Sequence, residues 1–214
     1  EREDNAQNIL LLGSDTRGEI DENALDGPQD SRSDTMMVMH LPADRDGIYF
    51  TSIMRDSWGD IPGFGEAKIN AAMAYGGLPL TVQVVEGLIG TRIDEVVVID
   101  FEGFKDLTNA LGGVTVTNTV AFEAQGFNFP AGDIKLNGEE ALAFVRARKA
   151  FADGDYQRVR NQQAYMKAVV KQMISSETLT NPTRLIAMVD AISPYLAVTE
   201  GVTTEYIVQT AASL

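Results

Sequence analysis

The chain has no cysteine and a single histidine among its 214 residues. The first absence removes disulfides, thiolate zinc sites and cysteine nucleophiles. The second argues against Ser–His–Asp chemistry and multi-histidine metal centres, because His40 lies in the apolar run TMMVMHL and reads as a sheet-face residue. Cations are scarce as well. Seventeen Lys and Arg stand against 31 Asp and Glu, a formal net charge of −14. Such a surface repels its own kind and stays soluble. It argues against nucleic-acid binding, which needs a basic face. No apolar run approaches the ~20 residues that cross a bilayer, and no signal-peptide pattern opens the chain. The first residue is Glu1 and not Met, which suggests a fragment or a processed form, and anything upstream, an anchor included, would be out of view.

What is present is an alternation of strand and helix patterns over one domain, 1–214. NILLLG (8–13) reads as a buried strand. DTMMVMHL (34–41) and GIYFTSIM (47–54) read as an antiparallel hairpin around PADRDG. KINAAMAYGG (68–77) reads as a helix stopped by glycines, and Pro79 suits the start of another. DEVVVID is the clearest strand and FEGFKDLTNALGG the helix after it. Asn137 and Glu140 make a capping-box start for NGEEALAFVRAR. DYQRVRNQQAYMKAVVKQMI is the longest helix, with Val159, Met166, Val170 and Met173 as its apolar stripe. Two further helices, NPTRLIAMVDAI and TTEYIVQTAASL, close the chain. The expected fold class is α/β: three layers, α/β/α, with a central mixed sheet covered by helices on both faces. Residues 13–34 form one long polar loop, a length usually tied to function or disorder. Its acidic stretch fails the EF-hand spacing. The glycine-rich stretch 59–65 is a candidate for shaping an acceptor side, by position alone.

Against the overall charge, residues 146–163 gather Arg146, Arg148, Lys149, Arg158 and Arg160. If a helix ends near Val145 and the chain extends, Arg146 and Arg148 share a face. Arg158 and Gln162 are four apart and share a helix face. Three guanidiniums and an amide then converge, and guanidinium forks match phosphate oxygens. The alternative is a solvated basic face paired with Asp153 and Asp155. Asp15 and Asp34 fall at strand ends, where two carboxylates suit Mg²⁺; each alone also suits a turn or strand-start role. Arg55 and Asp56 end an apolar strand, as a ligand pair or a surface ion pair. Lys68 reads as a lysine near a helix start, either opposing the helix dipole or balanced by an anion.

Seven stretches, NILLLGSDTR, RSDTMMVMHL, SIMRDSW, KINAAMAYGG, VVVIDFEGFKDLTNALGGVTV, LNGEEALAFVRARK and GDYQRVRNQQ, resemble the LytR–CpsA–Psr family of bacterial cell-envelope proteins, in that family's order. The resemblance implies a phosphotransferase that moves an anionic glycopolymer from a polyprenyl-pyrophosphate carrier to peptidoglycan, or to a glycoprotein acceptor. It implies an extracytoplasmic enzyme anchored by an upstream membrane helix, with a hydrophobic tunnel for the prenyl tail. It makes Asp15 and Asp34 ligands of Mg²⁺, with Mn²⁺ as a substitute. It makes Arg55, Arg146, Arg148 and Arg158 catalytic pyrophosphate-binding arginines, joined by Gln162. Arg17, Arg32 and Lys68 match further family cations. Asp155 is the candidate base, with Asp56 as its rival, and either could instead orient an arginine. Two departures stand out: Met54 where many members have proline, and Asn161 where many have arginine. Arg160, about 200° from Arg158 on a helix, is expected to face elsewhere. The rival functions are a lipid-binding module and a pyrophosphatase, the latter also expected as a side activity.

Overall fold

The computed structural model describes residues 5–14, 33–151, 154–173, 181, 183, 186, 190 and 196–213. In chain order the strands and helices are β1 (Gln7–Ser14), β2 (Ser33–Leu41), β3 (Tyr49–Ile53), β4 (Trp58–Ile61), β5 (Gly65–Lys68) and α1 (Ala71–Ile89). Then come β6 (Glu95–Ile99), α2 (Phe101–Ala110), β7 (Val114–Asn118), β8 (Phe122–Ala124), β9 (Phe127–Phe129) and β10 (Gly132–Leu136). The chain ends with α3 (Gly138–Arg146), α4 (Gly154–Met173), β11 (Leu196–Val198) and α5 (Thr204–Ala212). They divide into two compact units, Glu1–Phe101 with Pro194–Leu214, and Glu102–Ser193. Most of the expected helix NPTRLIAMVDAI lies outside the described residues.

The first unit is built on a mixed sheet in the order β11-β6-β1-β2-β3. Strand β1 runs parallel to β6 and antiparallel to β2. Side chains alternate across a strand, so residues two apart share a face. Leu10 stands between Val38 and Val96, and Leu12 between Met36 and Val98. All six are buried in one apolar core with Val84 and Val85 of α1. His40 lies on β2, where its Nδ1 sits 2.7 Å from the Asn8 amide oxygen. The expected antiparallel pairing of β2 with β3 is present.

Helix α1 breaks where the glycines predict. Gly76 and Gly77 leave helical geometry, with Gly77 at φ 65, ψ −154, a conformation essentially confined to glycine. Pro79 falls in the first turn of the segment that follows, where a missing N–H costs nothing. Among the described helices α1 is the one long and apolar enough to cross a membrane by composition. Its Ala72, Met73, Leu78, Val84 and Val85 are nevertheless part of the core just described. Lys68 requires a correction. It is the last residue of β5, opposite Trp58 of β4, and the helix begins only at Ala71. Pairing with a distant strand overrides the local helical pattern, so the dipole argument for Lys68 does not apply.

The second unit holds α2, the β7–β10 and β8–β9 pairs, α3 and α4. Phe122 is its aromatic hub, with ring centroids 4.8 Å from Phe129, 5.5 Å from Phe144 and 4.7 Å from Phe151. The α4 stripe also needs correction. Val159, Met166, Val170 and Met173 are only partly buried. The deeply buried face carries Gln157, Arg158, Asn161, Gln162, Tyr165 and Val169. The Gln157, Asn161 and Gln162 amides can occupy it because they find hydrogen-bond partners within the unit, as burial requires.

Tyr165 gives that interior a pH dependence. Its hydroxyl lies 2.6 Å from Thr108 Oγ1, which donates its own proton to the Phe104 carbonyl. Tyr165 is therefore the donor of the pair. Burial pushes the phenol far above its usual value. A raised folded-state value means that the native protein holds the proton longer than the unfolded chain. The contribution is complete below about pH 10 and is lost progressively above it. Urea unfolding across pH 7–11 is expected to show this alkaline decline. Tyr165→Phe should flatten it while costing about 1 kcal/mol at neutral pH for the lost hydrogen bond.

Candidate functional site

In the second unit the cationic cluster grows from the end of α3. The predicted capping box is present: Asn137 accepts from the Glu140 amide, and Glu140 accepts from the Asn137 amide. The helix ends at Arg146 because Ala147 turns extended, at φ −59, ψ 123. Ala147 is buried while Arg146 and Arg148 are exposed on either side of it. That alternation puts both guanidiniums on one face, as an extended chain dictates.

Helix α4 supplies the rest. Asp155 Oδ1 lies 2.7 Å from Arg148 Nε and 3.4 Å from Arg158 Nη2. These contacts are close as ion pairs but poorly aligned as hydrogen bonds. Arg158 is 6 % exposed, so its charge is held in a setting of weak solvent screening. Two guanidiniums meet one carboxylate, with Arg146 on the same face as Arg148, and the excess is positive. The neighbouring amides serve the scaffold. Asn161 Nδ2 donates to the Phe144 carbonyl at 3.1 Å and Gln162 Nε2 to the Val145 carbonyl at 3.4 Å. Both acceptors are carbonyls that the end of α3 leaves without helical partners. Gln157 Nε2 in turn donates to Asn161 Oδ1. Against the family pattern Asn161 reads as a lost cation; here it fixes the point from which Arg146 and Arg148 project. The available signal is the spacing of Gln157 and Asn161, four apart on a helix. Arg160 is exposed and donates to Gln157 Oε1, away from Arg158, as its angle predicts.

In the first unit Arg55 follows β3 in a tight turn. Its carbonyl accepts from Asn70 N, and the flanking Ser57 carbonyl accepts from Ile69 N. Arg55 Nε lies 3.6 Å from Asp56 Oδ2, and Lys68 Nζ lies 2.9 Å from Asp56 Oδ1. Asp56 thus joins two of the expected cations. At the end of β1 the register slips: Gly13 pairs with Thr35, but Ser14 pairs with Ser33. Asp34 is the residue between, at a backbone bulge. Asp15, the next residue after Ser14, lies outside the described residues, as do Arg17 and Arg32.

Each unit by itself therefore presents guanidinium held by carboxylate, with backbone ties that restrict its motion. Such groups suit an anion with several oxygens, above all phosphate or pyrophosphate. The comparisons agree in direction. Residues 1–213 match the model of the LytR_cpsA_psr family. A polyisoprenyl-teichoic acid–peptidoglycan teichoic acid transferase, TagU of Bacillus mycoides, is 39 % identical over 174 residues, which is 81 % of this chain and 54 % of that protein. The cell wall biosynthesis protein LcpA of Corynebacterium glutamicum is 33 % identical over 92 % of this chain and 46 % of its own. The chain thus spans about half the length of these curated relatives. The crystal structure of B. subtilis TagV superposes with a TM-score of 0.80 at 28 % identity, covering 99 % of this chain and 80 % of that one. A structure of TagT bound to LI-WTA gives 0.76 at 27 %, covering 100 % and 76 %. A family match across almost every residue, supported by relatives at this identity and by a shared fold, establishes that the chain belongs to the LytR_cpsA_psr family.

Proposed function

We propose that this chain transfers an anionic glycopolymer from a polyprenyl-pyrophosphate carrier to peptidoglycan, releasing polyprenyl phosphate. The observation that carries the proposal is the pairing of Arg148 and Arg158 with Asp155, with Arg146 on the same face as Arg148, a local positive excess in a chain of net charge −14. The names of the relatives, teichoic acid transferases and a cell wall biosynthesis protein, point the same way.

In the proposed reaction an acceptor hydroxyl oxygen bonds to the phosphorus that carries the glycopolymer. The pyrophosphate P–O bond to that phosphorus breaks, and polyprenyl phosphate leaves with the bond's electron pair. The hydroxyl proton passes to a carboxylate or to water. Phosphoryl transfer asks chiefly for positioning and for neutralisation of spreading charge. Arg55, Arg146, Arg148 and Arg158 are assigned to that task, with Gln162, Lys68, Arg17 and Arg32 as further contacts. Asp155, between two guanidiniums, fits an orienting role better than a base. Asp15 and Asp34 are proposed to hold Mg²⁺, or Mn²⁺ in its place. Two carboxylates suit such hard cations. When bound, the ion supplies charge neutralisation for the pyrophosphate. The enzyme is proposed to work at the outer face of the bacterial membrane, with an anchor upstream of Glu1.

The test is reconstitution with a polyprenyl-pyrophosphate-linked glycopolymer, Mg²⁺ and peptidoglycan. Expected products are polymer joined to peptidoglycan and polyprenyl monophosphate. Tight donor binding without bond cleavage, indifferent to Mg²⁺ and to Asp34→Ala, would make the protein a lipid-binding module. Polymer phosphate released only to water would make it a pyrophosphatase.

A further inference from the structure

The β4–β5 ribbon carries side chains that neither the core nor the arginine clusters explain. Its inward face is structural: Ile61 is fully buried and Ala67 packs against the same core. Its outward face is Trp58 and Asp60 on β4, opposite Lys68 and Glu66 on β5. Trp58, the sole tryptophan of the chain, is 66 % exposed. At the ribbon's turn Phe64 is 56 % exposed and stacks on Tyr75 of α1, with centroids 4.8 Å apart and rings tilted by 20°. Single exposed apolar residues are ordinary, but three aromatics on one short ribbon and its adjoining helix are not. Asp60 stands directly opposite Glu66, a like-charge pair that works against the ribbon's own pairing. The ribbon is no loose loop either, because the chain just beyond it bonds back to the Ser57 and Arg55 carbonyls.

We propose that this face is a platform for the acceptor, a neutral aminosugar chain. The proposal rests on the transferase reading above and names the acceptor side of it. A pyranose ring offers an apolar C–H face and a rim of hydroxyl donors. Exposed aromatic rings meet the first and acceptor carboxylates the second. The charge selects among partners. Asp60 and Glu66 are both exposed and outnumber the one outward cation of the ribbon, Lys68, which shares Asp56 with Arg55. An anionic polymer or an anionic membrane surface is repelled by such a face, whereas an uncharged glycan is not. Four-residue strands are roughly 13 Å long, which suits an oligosaccharide and exceeds a single sugar.

Trp58 itself is the reporter. An N-acetylglucosamine oligomer added to the full chain is expected to shift its emission saturably, and Phe64→Ala to weaken that binding by up to about tenfold. In the transfer assay Trp58→Ala should raise the acceptor KM by a similar factor. Its kcat at saturating acceptor, and its release of polymer phosphate to water, should not change. A silent Trp58 together with an unchanged acceptor KM in Trp58→Ala, in protein that does transfer polymer, overturns the platform. An emission shift with phosphatidylglycerol vesicles but not with the oligomer overturns it in favour of a membrane contact. If no preparation transfers polymer but the oligomer still shifts Trp58 saturably, the platform stands and the transferase reading falls.

Discussion

Arg148→Ala is expected to lower glycopolymer transfer by about a thousandfold or more, the range in which one transition-state arginine acts, and to leave the fold standing. The side chain is 42 % exposed, and it pairs with Asp155, itself 24 % exposed. Pairs of that kind contribute about 0–1 kcal/mol. The unfolding midpoint should therefore fall by no more than about 4 °C. Arg148→Lys is expected to recover little, because an ammonium cannot present the guanidinium fork. The same assay separates the two roles open to Asp155. As an orienting group it is replaced by Asn with a lower rate at every pH and an unchanged profile shape. As a general base its loss removes the acid limb of the profile. Arg148→Ala with normal transfer and unchanged KM would remove the arginine cluster from the mechanism altogether.

Local signals in the sequence carried much of this site, and their failures have one cause. The capping box at Asn137 and Glu140, the break at Gly76–Gly77 and the alternation of Arg146, Ala147 and Arg148 are set by neighbours in the chain. Each follows from backbone chemistry within a few residues, so each is readable. Lys68 was not, because its place is fixed by Trp58 across a ribbon. The ribbon hides in a glycine-rich stretch: Gly59, Ile61 and Ala67 face inward, but four-residue strands give the alternation too few repeats to stand out. The α4 stripe misled for a related reason. Apolar periodicity marks the buried face only where that face is apolar. Here Asn161 and Gln162 are buried because carbonyls of α3 await them, and that helix lies in another part of the sequence.

Gly138→Ala is expected to cost more stability than any change at the exposed cations. Gly138 is the first residue of α3, and its N–H donates to Asn109 Oδ1 of α2 at 2.9 Å. A Cβ there would lie 2.5 Å from the Lys105 carbonyl oxygen and 2.9 Å from the Lys105 Cα. Both are backbone atoms, so no side-chain rotation relieves the clash, and α2 and α3 must move apart. Lys105 of α2 also ties the two helices by its ion pair to Glu139 of α3 at 3.1 Å, beside a pair within α2 to Glu102 at 2.8 Å. The Glu102 hydrogen bond first, and the Glu139 pair with it, hold the Lys105 ammonium above its usual range, and separation of the helices would weaken the Glu139 pair. Overpacking of this kind costs roughly 3 kcal/mol, which for a chain of this size is a fall in midpoint of about 6–12 °C. Calorimetry reads it directly. The displacement should also reach the site, since the start of α3 sets where its last turn releases Arg146 and Arg148. A variant that is folded but slow in transfer at low temperature, with donor KM raised more than kcat is lowered, is the expected signature of arginines moved out of position. A variant as stable as the parent would mean that α2 and α3 are not held as closely as the structure places them.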